Sequence, residues 1–163
     1  MALKRWQKLA ASGAAAAAIA GAMAATFEGI RYHVYGDVGG VPTVCEGVTE
    51  ASVPPGVKID PSHTYTPAEC IRLDSYAEHK AQTGVEQSVT VPISQDELAA
   101  YTDFAYNVGL GAWDRSTARR ELNAGHHRAA CNQLLRWVYA DGHKLRGLVL
   151  RRQAEWQLCT GQF

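Results

Sequence analysis

Several features are absent from the 163-residue sequence, and each absence excludes a class of protein. There is no collagen-like or solenoid repeat, so a fibrous or stacked-repeat architecture is excluded. No pair of the four cysteines has the C-x-x-C spacing, which argues against a zinc ribbon or a thioredoxin-like redox site. The formal net charge is zero, so no overall basic charge favours nucleic acid. Hydrophobic residues make up 47% of the chain, which is enough for the core of one modest globular domain.

The zero net charge hides an uneven distribution along the chain. Residues 27–114 contain 13 acidic and 4 basic residues, a net charge of −9. Residues 115–163 contain 9 basic and 3 acidic residues, a net charge of +6. This split predicts a bipolar surface whose basic half favours anionic polymers. The arginine pairs at 119–120 and 151–152 are too sparse for a nucleic-acid interface, so we expect no nucleic-acid partner.

Large apolar side chains are scarce in the one long uncharged run, residues 9–27, where 11 of the 19 residues are alanine. As one helix the run would be about 28 Å long, close to the hydrocarbon thickness of a bilayer. Basic residues precede it, which predicts a cytoplasmic N-terminus and export of the rest of the chain, with Trp6 as an interfacial anchor. Alanine adds little transfer energy and is the best helix former in water, so the run suits either environment.

Four interpretations of this segment are open. Ala22-Met-Ala24 has the small-x-small pattern of a signal-peptide cleavage site. The run could also be a permanent anchor or a soluble helix that is never exported. We favour a temporary anchor that later leaves the membrane, because of its position directly before Glu28.

The four cysteines, Cys45, Cys70, Cys131 and Cys159, lie outside the apolar run. In an exported chain an even number of cysteines predicts two disulfides, with three possible pairings. We favour the local pairs Cys45–Cys70 and Cys131–Cys159, while four buried free thiols remain the alternative.

Sequence signals divide the rest of the chain into a small β-lobe and a larger helical lobe. Two short β-branched and aromatic segments flank a glycine-rich turn at 36–40, which predicts a β-hairpin. Capping-box patterns at Thr66–Glu69 and Ser94–Glu97 predict the starts of two helices, the second ending at Gly109. We expect further helices near residues 116–124, 129–138 and 148–159.

Two carboxylates in the early part of the chain are the best candidates for chemistry. Glu28 lies where a helix is expected to give way to the hairpin, and Asp37 lies in the hairpin turn. Glycoside hydrolysis needs one protonated and one ionised carboxyl group facing the same cleft. An apolar helix beside Glu28 would raise its pKa, as a general acid requires, whereas Asp37 in a solvated turn would stay ionised. Thr43, on the returning strand, could help Asp37 to orient a water molecule.

The spacing Glu28-x8-Asp37-x5-Thr43 resembles the catalytic triad of the phage-type lysozymes, the endolysins of glycoside hydrolase family 24. The resemblance extends over most of residues 27–159. It includes the F-x-x-N-x-G pattern that contains Asn107, the R-W pair that begins at Arg136, and a G-L-x-x-R-R-x-x-E pattern at 147–155. Among these enzymes the chain is most similar to signal-anchor-release endolysins of phages of Gram-negative bacteria, which carry a weakly apolar span directly before the catalytic glutamate.

The resemblance implies a lysozyme-like α+β fold and an inverting muramidase. Glu28 would be the general acid, Asp37 the base that positions water, and Thr43 its assistant, with Asn107 and Arg136 near the sugar cleft. The implied substrate is peptidoglycan, cut between N-acetylmuramic acid and N-acetylglucosamine, with no metal or organic cofactor. A lytic transglycosylase and a membrane-tethered wall-binding protein without catalysis are the alternatives.

The same resemblance implies a division of the chain into an anchor, residues 1–27, and a catalytic domain, residues 28–163. The domain would be held inactive on the periplasmic side of the inner membrane and would act as a released monomer. Some relatives activate through a cysteine in the membrane segment, but this chain has no cysteine before Cys45, which excludes that route.

Overall fold

The computed structural model describes residues 4–11, 15–27, 29–37 and 39–162, without the side chains of residues 11 and 17. Within these residues the elements follow in chain order as helices and short strands. They are α1 (Arg5–Ala11), α2 (Ala16–Phe27), β1 (Arg31–Gly36), β2 (Pro42–Cys45), β3 (Val48–Thr49), α3 (Pro67–Ser88), α4 (Gln95–Val108), α5 (Leu110–Arg115), α6 (Thr117–Asn123), α7 (His127–Leu134), β4 (Tyr139–Ala140), β5 (His143–Lys144) and α8 (Arg146–Cys159).

The β-lobe is an antiparallel sheet in the order β1-β2-β3, which confirms the predicted hairpin. Tyr35 pairs with Thr43, and the register shifts between Arg31 and Tyr35. The outer strand β1 is largely exposed, while Val44 and Cys45 of β2 are fully buried. A small core of its own forms around Val44 between the sheet, the loop that follows it and the start of α3.

Helix α3 joins the two lobes. It begins at the predicted capping box, in which Thr66 Oγ1 accepts from the Glu69 backbone N–H and the Glu69 carboxylate accepts from the Thr66 backbone N–H. The disulfide Cys45–Cys70 ties its first turn to β2. The helix continues to Ser88, two turns beyond the expected end, and its second half lies in the helical lobe.

Helix α4 is the centre of the helical lobe. Its predicted capping box at Ser94 and its end at Gly109 are both confirmed. Every residue from Leu98 to Ala105 is buried, because α2, α3 and α8 pack around it. The disulfide Cys131–Cys159 joins α7 to α8 on the other side of this core. Both disulfides are the local pairs that the sequence analysis favoured.

The N-terminal segment differs from the single helix that we expected over residues 9–27. It forms two helices, α1 and α2, which pack against each other and against the helical lobe. Ile19 and Met23 of α2 are fully buried in the main core. Trp6, expected at a membrane interface, lies in the same core with 1% of its surface exposed. Among the described helices, none combines the length and the apolar character that a bilayer span requires.

Candidate active site

A cleft runs between the β-lobe and the helical lobe. Two cavities, of about 540 Å³ and about 490 Å³, share the lining residues Asp37, Tyr106 and Asn107 and therefore form one continuous cleft. The first is closed on its far side by Trp137 and by the β4–β5 hairpin. The second extends along α3 towards Lys80, whose ammonium group donates to the Ala51 carbonyl at 2.7 Å. Such a groove can hold a chain of sugar rings.

Another cavity of about 540 Å³ lies on the outer side of the β-lobe, between the loop that follows β3 and the start of α3. Its two carboxylates already have structural partners. Asp60 accepts hydrogen bonds from Ser62 in a turn, and Glu69 belongs to the capping box of α3. We therefore assign the chemistry to the cleft between the lobes.

Asp37 occupies the turn of the β1–β2 hairpin, exposed at the edge of the cleft. Its backbone N–H donates to the Val41 carbonyl at 3.0 Å, and its Oδ1 accepts from the Val41 N–H at 2.8 Å. Gly40 adopts a positive φ of 75°, which closes the turn. The second carboxylate oxygen has no hydrogen-bond partner in the described part of the chain, so the turn fixes the carboxylate while leaving one oxygen for the cleft.

Thr43 lies beside Asp37 because both side chains are hydrogen-bonded to the backbone of Val41. The Thr43 hydroxyl donates to the Val41 carbonyl at 2.8 Å, and only 2% of Thr43 is exposed. Since its proton is engaged, the hydroxyl can accept a hydrogen bond from a water molecule in the cleft. Asp37 and Thr43 thus present two acceptors to the same cavity, which is an arrangement that can hold and orient a water.

Asn107 stands on the helical side of the cleft, at the end of α4. Its Oδ1 accepts from Arg152 of α8 at 2.6 Å, which fixes the side chain against the floor of the cleft. Asp103, one helical turn earlier, holds Arg151 through two hydrogen bonds of 3.0 Å and 2.9 Å. The Asn107 side chain is therefore held in place by a buried network of hydrogen bonds between α4 and α8.

The centre of this network is Glu155, which is fully buried on α8. Its carboxylate lies 2.9 Å from Arg152 and 3.6 Å from Arg151. Burial raises the pKa of Glu155 well above its ordinary value, and Arg152 opposes that shift. Because a buried charge is costly unless it is paired, these side chains hold α4 and α8 in one fixed relation beneath the cleft.

Glu28 lies outside the described residues, so its position relative to Asp37 remains a prediction. Its described neighbours are Phe27, the last residue of α2, and Gly29, which has a positive φ of 68°. Phe27 packs against the main core, and Lys4 of the N-terminal segment lies 5.2 Å above its ring.

The structure does not bring Arg136 into the cleft. The residue is exposed just after α7, and its guanidinium donates to Gln133 Oε1 at 3.1 Å. The following residue, Trp137, lines the cleft instead and packs edge-on against Phe104, because adjacent residues in this turn point to different sides. His33 of β1 makes a hydrogen bond of 3.2 Å with the Thr64 hydroxyl on the exposed side of the strand.

The β4–β5 hairpin was missed by the sequence analysis. Asp141 and Gly142 both have positive φ, 48° and 76°, as a two-residue hairpin turn of type I′ requires. The Asp-Gly pair is itself a hairpin signal that could have revealed it. The hairpin brings Asp141 and Tyr139 to the cleft, and Tyr139 is 62% exposed there, so its ring is available to a ligand.

Three acidic residues form a cluster behind the cleft. Asp74 of α3 accepts from the backbone N–H of Glu46, which follows β2, at 3.1 Å. Burial raises the pKa of Asp74 to about 7, and the nearby Glu46 adds to that effect. Glu78, one turn further along α3, has its pKa raised to about 8 by burial and by Glu46, Asp74 and Asp103. The Tyr106 hydroxyl donates to the Glu46 carbonyl at 2.7 Å and links this cluster to the cleft.

Comparison with known proteins agrees with this geometry. The family model "Phage lysozyme" matches residues 25–155. The chain is 40% identical to the SAR-endolysin of Bacteriophage PS119 over 132 residues, which are 81% of this chain and 75% of that protein. It is 37% identical to the SAR-endolysin of Pseudomonas phage phiKMV over 150 residues, which are 90% and 88% of the two chains.

Among solved structures, a P22 lysozyme mutant is similar with a TM-score of 0.68 and 26% identity, over 86% of this chain and 94% of that one. The α+β lysozyme-like fold expected from the sequence is thereby confirmed. The chain belongs to the phage lysozyme family, and it is a lysozyme-type glycosidase whose substrate is peptidoglycan.

Proposed function

We propose that the chain hydrolyses the β-1,4 bond between N-acetylmuramic acid and N-acetylglucosamine with inversion, Glu28 being the general acid. The observation that carries the proposal is the pair of acceptors at Asp37 and Thr43, bonded to the same Val41 backbone at the edge of a sugar-sized cleft. In an inverting enzyme the two carboxyl groups stand about 6.5–9.5 Å apart, with the attacking water between them.

The proposed steps divide the proton transfers between two environments. Glu28, at the end of the uncharged helix α2, gives its proton to the leaving glycosidic oxygen. Asp37, exposed in the hairpin turn, takes a proton from the water as it attacks the anomeric carbon. The Thr43 hydroxyl accepts a hydrogen bond from the other O–H of that water. Asn107, fixed by Arg152, binds the sugar from the opposite side of the cleft.

Turbidity loss of outer-membrane-stripped Gram-negative cells tests the acid and the base. Glu28→Gln should lower the rate by about 10²–10⁴-fold, and Asp37→Asn should have a comparable effect, because each removes one proton transfer. Asp114→Asn makes the same chemical change on the exposed end of α5 and should retain the wild-type rate. Full activity of Glu28→Gln would remove its assignment as the acid.

Product analysis tests the reaction class. The proposal predicts a reducing N-acetylmuramic acid end, released first as the α-anomer. An anhydro sugar would identify a lytic transglycosylase, and wall binding without any product would identify a non-catalytic binding protein. Either result would overturn the proposed hydrolysis.

We further propose that residues 1–27 hold the enzyme inactive on the inner membrane before releasing it as a monomer into the periplasm. With residues 9–27 in the bilayer, the N-terminus would be cytoplasmic and Glu28 would be kept at the interface, away from Asp37. After release the segment packs as α1 and α2 and carries Glu28 to the cleft. The name of the relatives, SAR-endolysin, and the uncharged surface of α2 support this proposal.

The burial of α2 argues against removal of the segment as a signal peptide. Ala22, Met23 and Ala24, the possible cleavage site, lie in the main core with Ile19. Mass measurement of the protein recovered from the periplasm tests this point. The proposal predicts a chain that keeps its N-terminal segment, whereas a mass lower by the first 24 residues would contradict it.

A further inference from the structure

Helix α2 contacts the helical lobe through a glycine that faces a carboxyl group. A Cβ atom built on Gly21 would lie 2.8 Å and 2.9 Å from the two carboxylate oxygens of Glu78. The carboxyl group therefore rests directly on the backbone of α2, at a position where any side chain would have to displace it. Gly21 is the only residue of α2 without a Cβ, so only at this position can the Glu78 carboxyl group approach the helix backbone so closely.

Among the described residues, the charged groups that shift the pKa of Glu78 are all acidic. Helix α2, which covers the carboxyl group, contains no charged residue. Asp74 lies one turn away on α3, Glu46 comes from the turn after β2, and Asp103 faces it from α4. Arg151 and Glu155 of α8 stand behind Asp103, and the guanidinium is bonded to that carboxylate rather than to Glu78.

We propose that Glu78 is the positioning residue for α2, and that its carboxyl group must be protonated for α2 to stay docked. Docking of the released segment would then take up one proton. An ionised carboxylate against this uncharged helix would have lost part of its hydration, and the helix offers no charge in return, whereas a protonated one fits the space at Gly21 without that cost. The inference rests on the proposed release and docking of residues 1–27, to which it adds a control by pH.

The direction of the pH dependence follows from the two states of Glu78. In the docked state its pKa is about 8, and when α2 leaves and water reaches the carboxyl group the pKa falls towards the ordinary value of 4.5. The docked state therefore binds the proton more tightly. Between the two pKa values the opening constant of α2 should rise with pH, by up to about tenfold for each unit, so acid favours the docked form and alkali favours the open form.

Hydrogen exchange on the full-length chain tests the proposal. The amides of α2 are followed by mass spectrometry at pH 5.5, 6.5 and 7.5, with those of α4 as an internal reference and with intrinsic exchange rates corrected. The wild type should show a rise of up to about tenfold per unit in the opening constant of α2. In Glu78→Gln, which keeps the shape of the protonated acid, that constant should be low and independent of pH.

Glu86→Gln is the matched control, because Glu86 lies two turns further along α3, exposed and bonded to Gln82. It should show the wild-type slope. Glu78→Ala, a second variant that removes the charge, should lose the slope even if α2 packs less tightly. A wild-type constant that does not change with pH, or a slope that persists in both Glu78 variants, would overturn the proposal. Exchange does not depend on wall hydrolysis, so this failure would leave the assignments of Glu28 and Asp37 untouched.

Discussion

The N-terminal helices and the rest of the molecule share one core but are held in it by different means. Helices α3 and α4 begin with capping boxes, and both lobes contain a disulfide. Buried ion pairs such as Asp103–Arg151 join α4 to α8. Helix α2 has no charged residue and no disulfide, and its first described N–H, that of Ala16, is bonded to the side chain of Gln95 in α4.

This difference fits the proposal that α2 can leave the core. Most of the buried residues of α2 are alanines, each of which buries little apolar area. Because α2 has no charged residue, its withdrawal would break no ion pair of its own. Withdrawing α4 or α8 would instead separate Asp103 from Arg151, which costs several kcal/mol because an unpaired charge is left buried. A helix that moves between bilayer and protein needs attachment without ion pairs, as α2 has it.

Truncating one large buried side chain in α4 and one in α2 should give the largest difference between the two regions. Phe104 of α4 and Met23 of α2 are both fully buried in the main core. Phe104→Ala should lower the free energy of unfolding of the whole domain by about 3–5 kcal/mol. Met23→Ala should speed hydrogen exchange in α2 while leaving the protection of α4 unchanged. Equal loss of protection in both helices after Met23→Ala would show that α2 is not separable.

Removal of a disulfide should weaken only the covalently linked part. The double variant Cys131→Ala and Cys159→Ala opens a loop that spans 28 residues, which should cost about 3 kcal/mol in urea unfolding. The difference in hydrogen-exchange protection between α2 and the helical lobe should therefore become smaller. The corresponding pair Cys45→Ala and Cys70→Ala is the comparison, and it should act on the β-lobe. An unchanged midpoint in the first variant would contradict this account of the lobe.

The bond between Gln95 and Ala16 offers a smaller effect on the attachment of α2. Gln95→Ala leaves the backbone N–H of Ala16 without its 3.1 Å acceptor and should raise the opening constant of α2 about fivefold, or about 1 kcal/mol. Gln87→Ala, an exposed change on α3, is the control. If exchange in α2 were the same in both variants, the bond would contribute nothing to docking.

The smallest effect should come from making the segment more apolar on its solvent side. Ala25 is exposed on docked α2, so Ala25→Leu should strengthen retention in the membrane by about 0.5 kcal/mol without disturbing docking. Release from vesicles should slow by two- to threefold. Gly21→Leu also places a leucine on α2, but its side chain would collide with Glu78, so it should slow release and weaken docking together. Indistinguishable behaviour of the two variants would remove the distinction between the two faces of α2.

Sequence alone predicted the parts of the fold whose signals are local. The capping boxes at Thr66 and Ser94 fixed the starts of α3 and α4, and the glycine-rich turn fixed the hairpin that carries Asp37. The break between α1 and α2, and the burial of Trp6, could not be predicted in this way. Alanine-rich sequence has no periodic pattern, so only packing against the helical lobe decides where the helix ends.

The candidate site was predictable in its residue types and less so in its geometry. The spacing of Asp37 and Thr43 on a hairpin indicated that they would lie together, whereas their shared bonds to Val41 are a detail of the turn. The side of the turn on which Arg136 lies was not predictable, because the direction of a side chain after a helix end depends on the local backbone. Tyr139 reaches the cleft through a hairpin of only two residues per strand, too short for a pattern of alternation.

The most direct test compares wall hydrolysis by the membrane-bound and the released enzyme. Full-length chain is reconstituted in phosphatidylcholine vesicles, and the vesicle-bound and free fractions are assayed on soluble peptidoglycan fragments. We predict that the bound fraction is at least about 100-fold less active, because Glu28 cannot donate its proton while α2 is in the bilayer. Equal rates per molecule in the two fractions would contradict the claim that docking of α2 completes the active site.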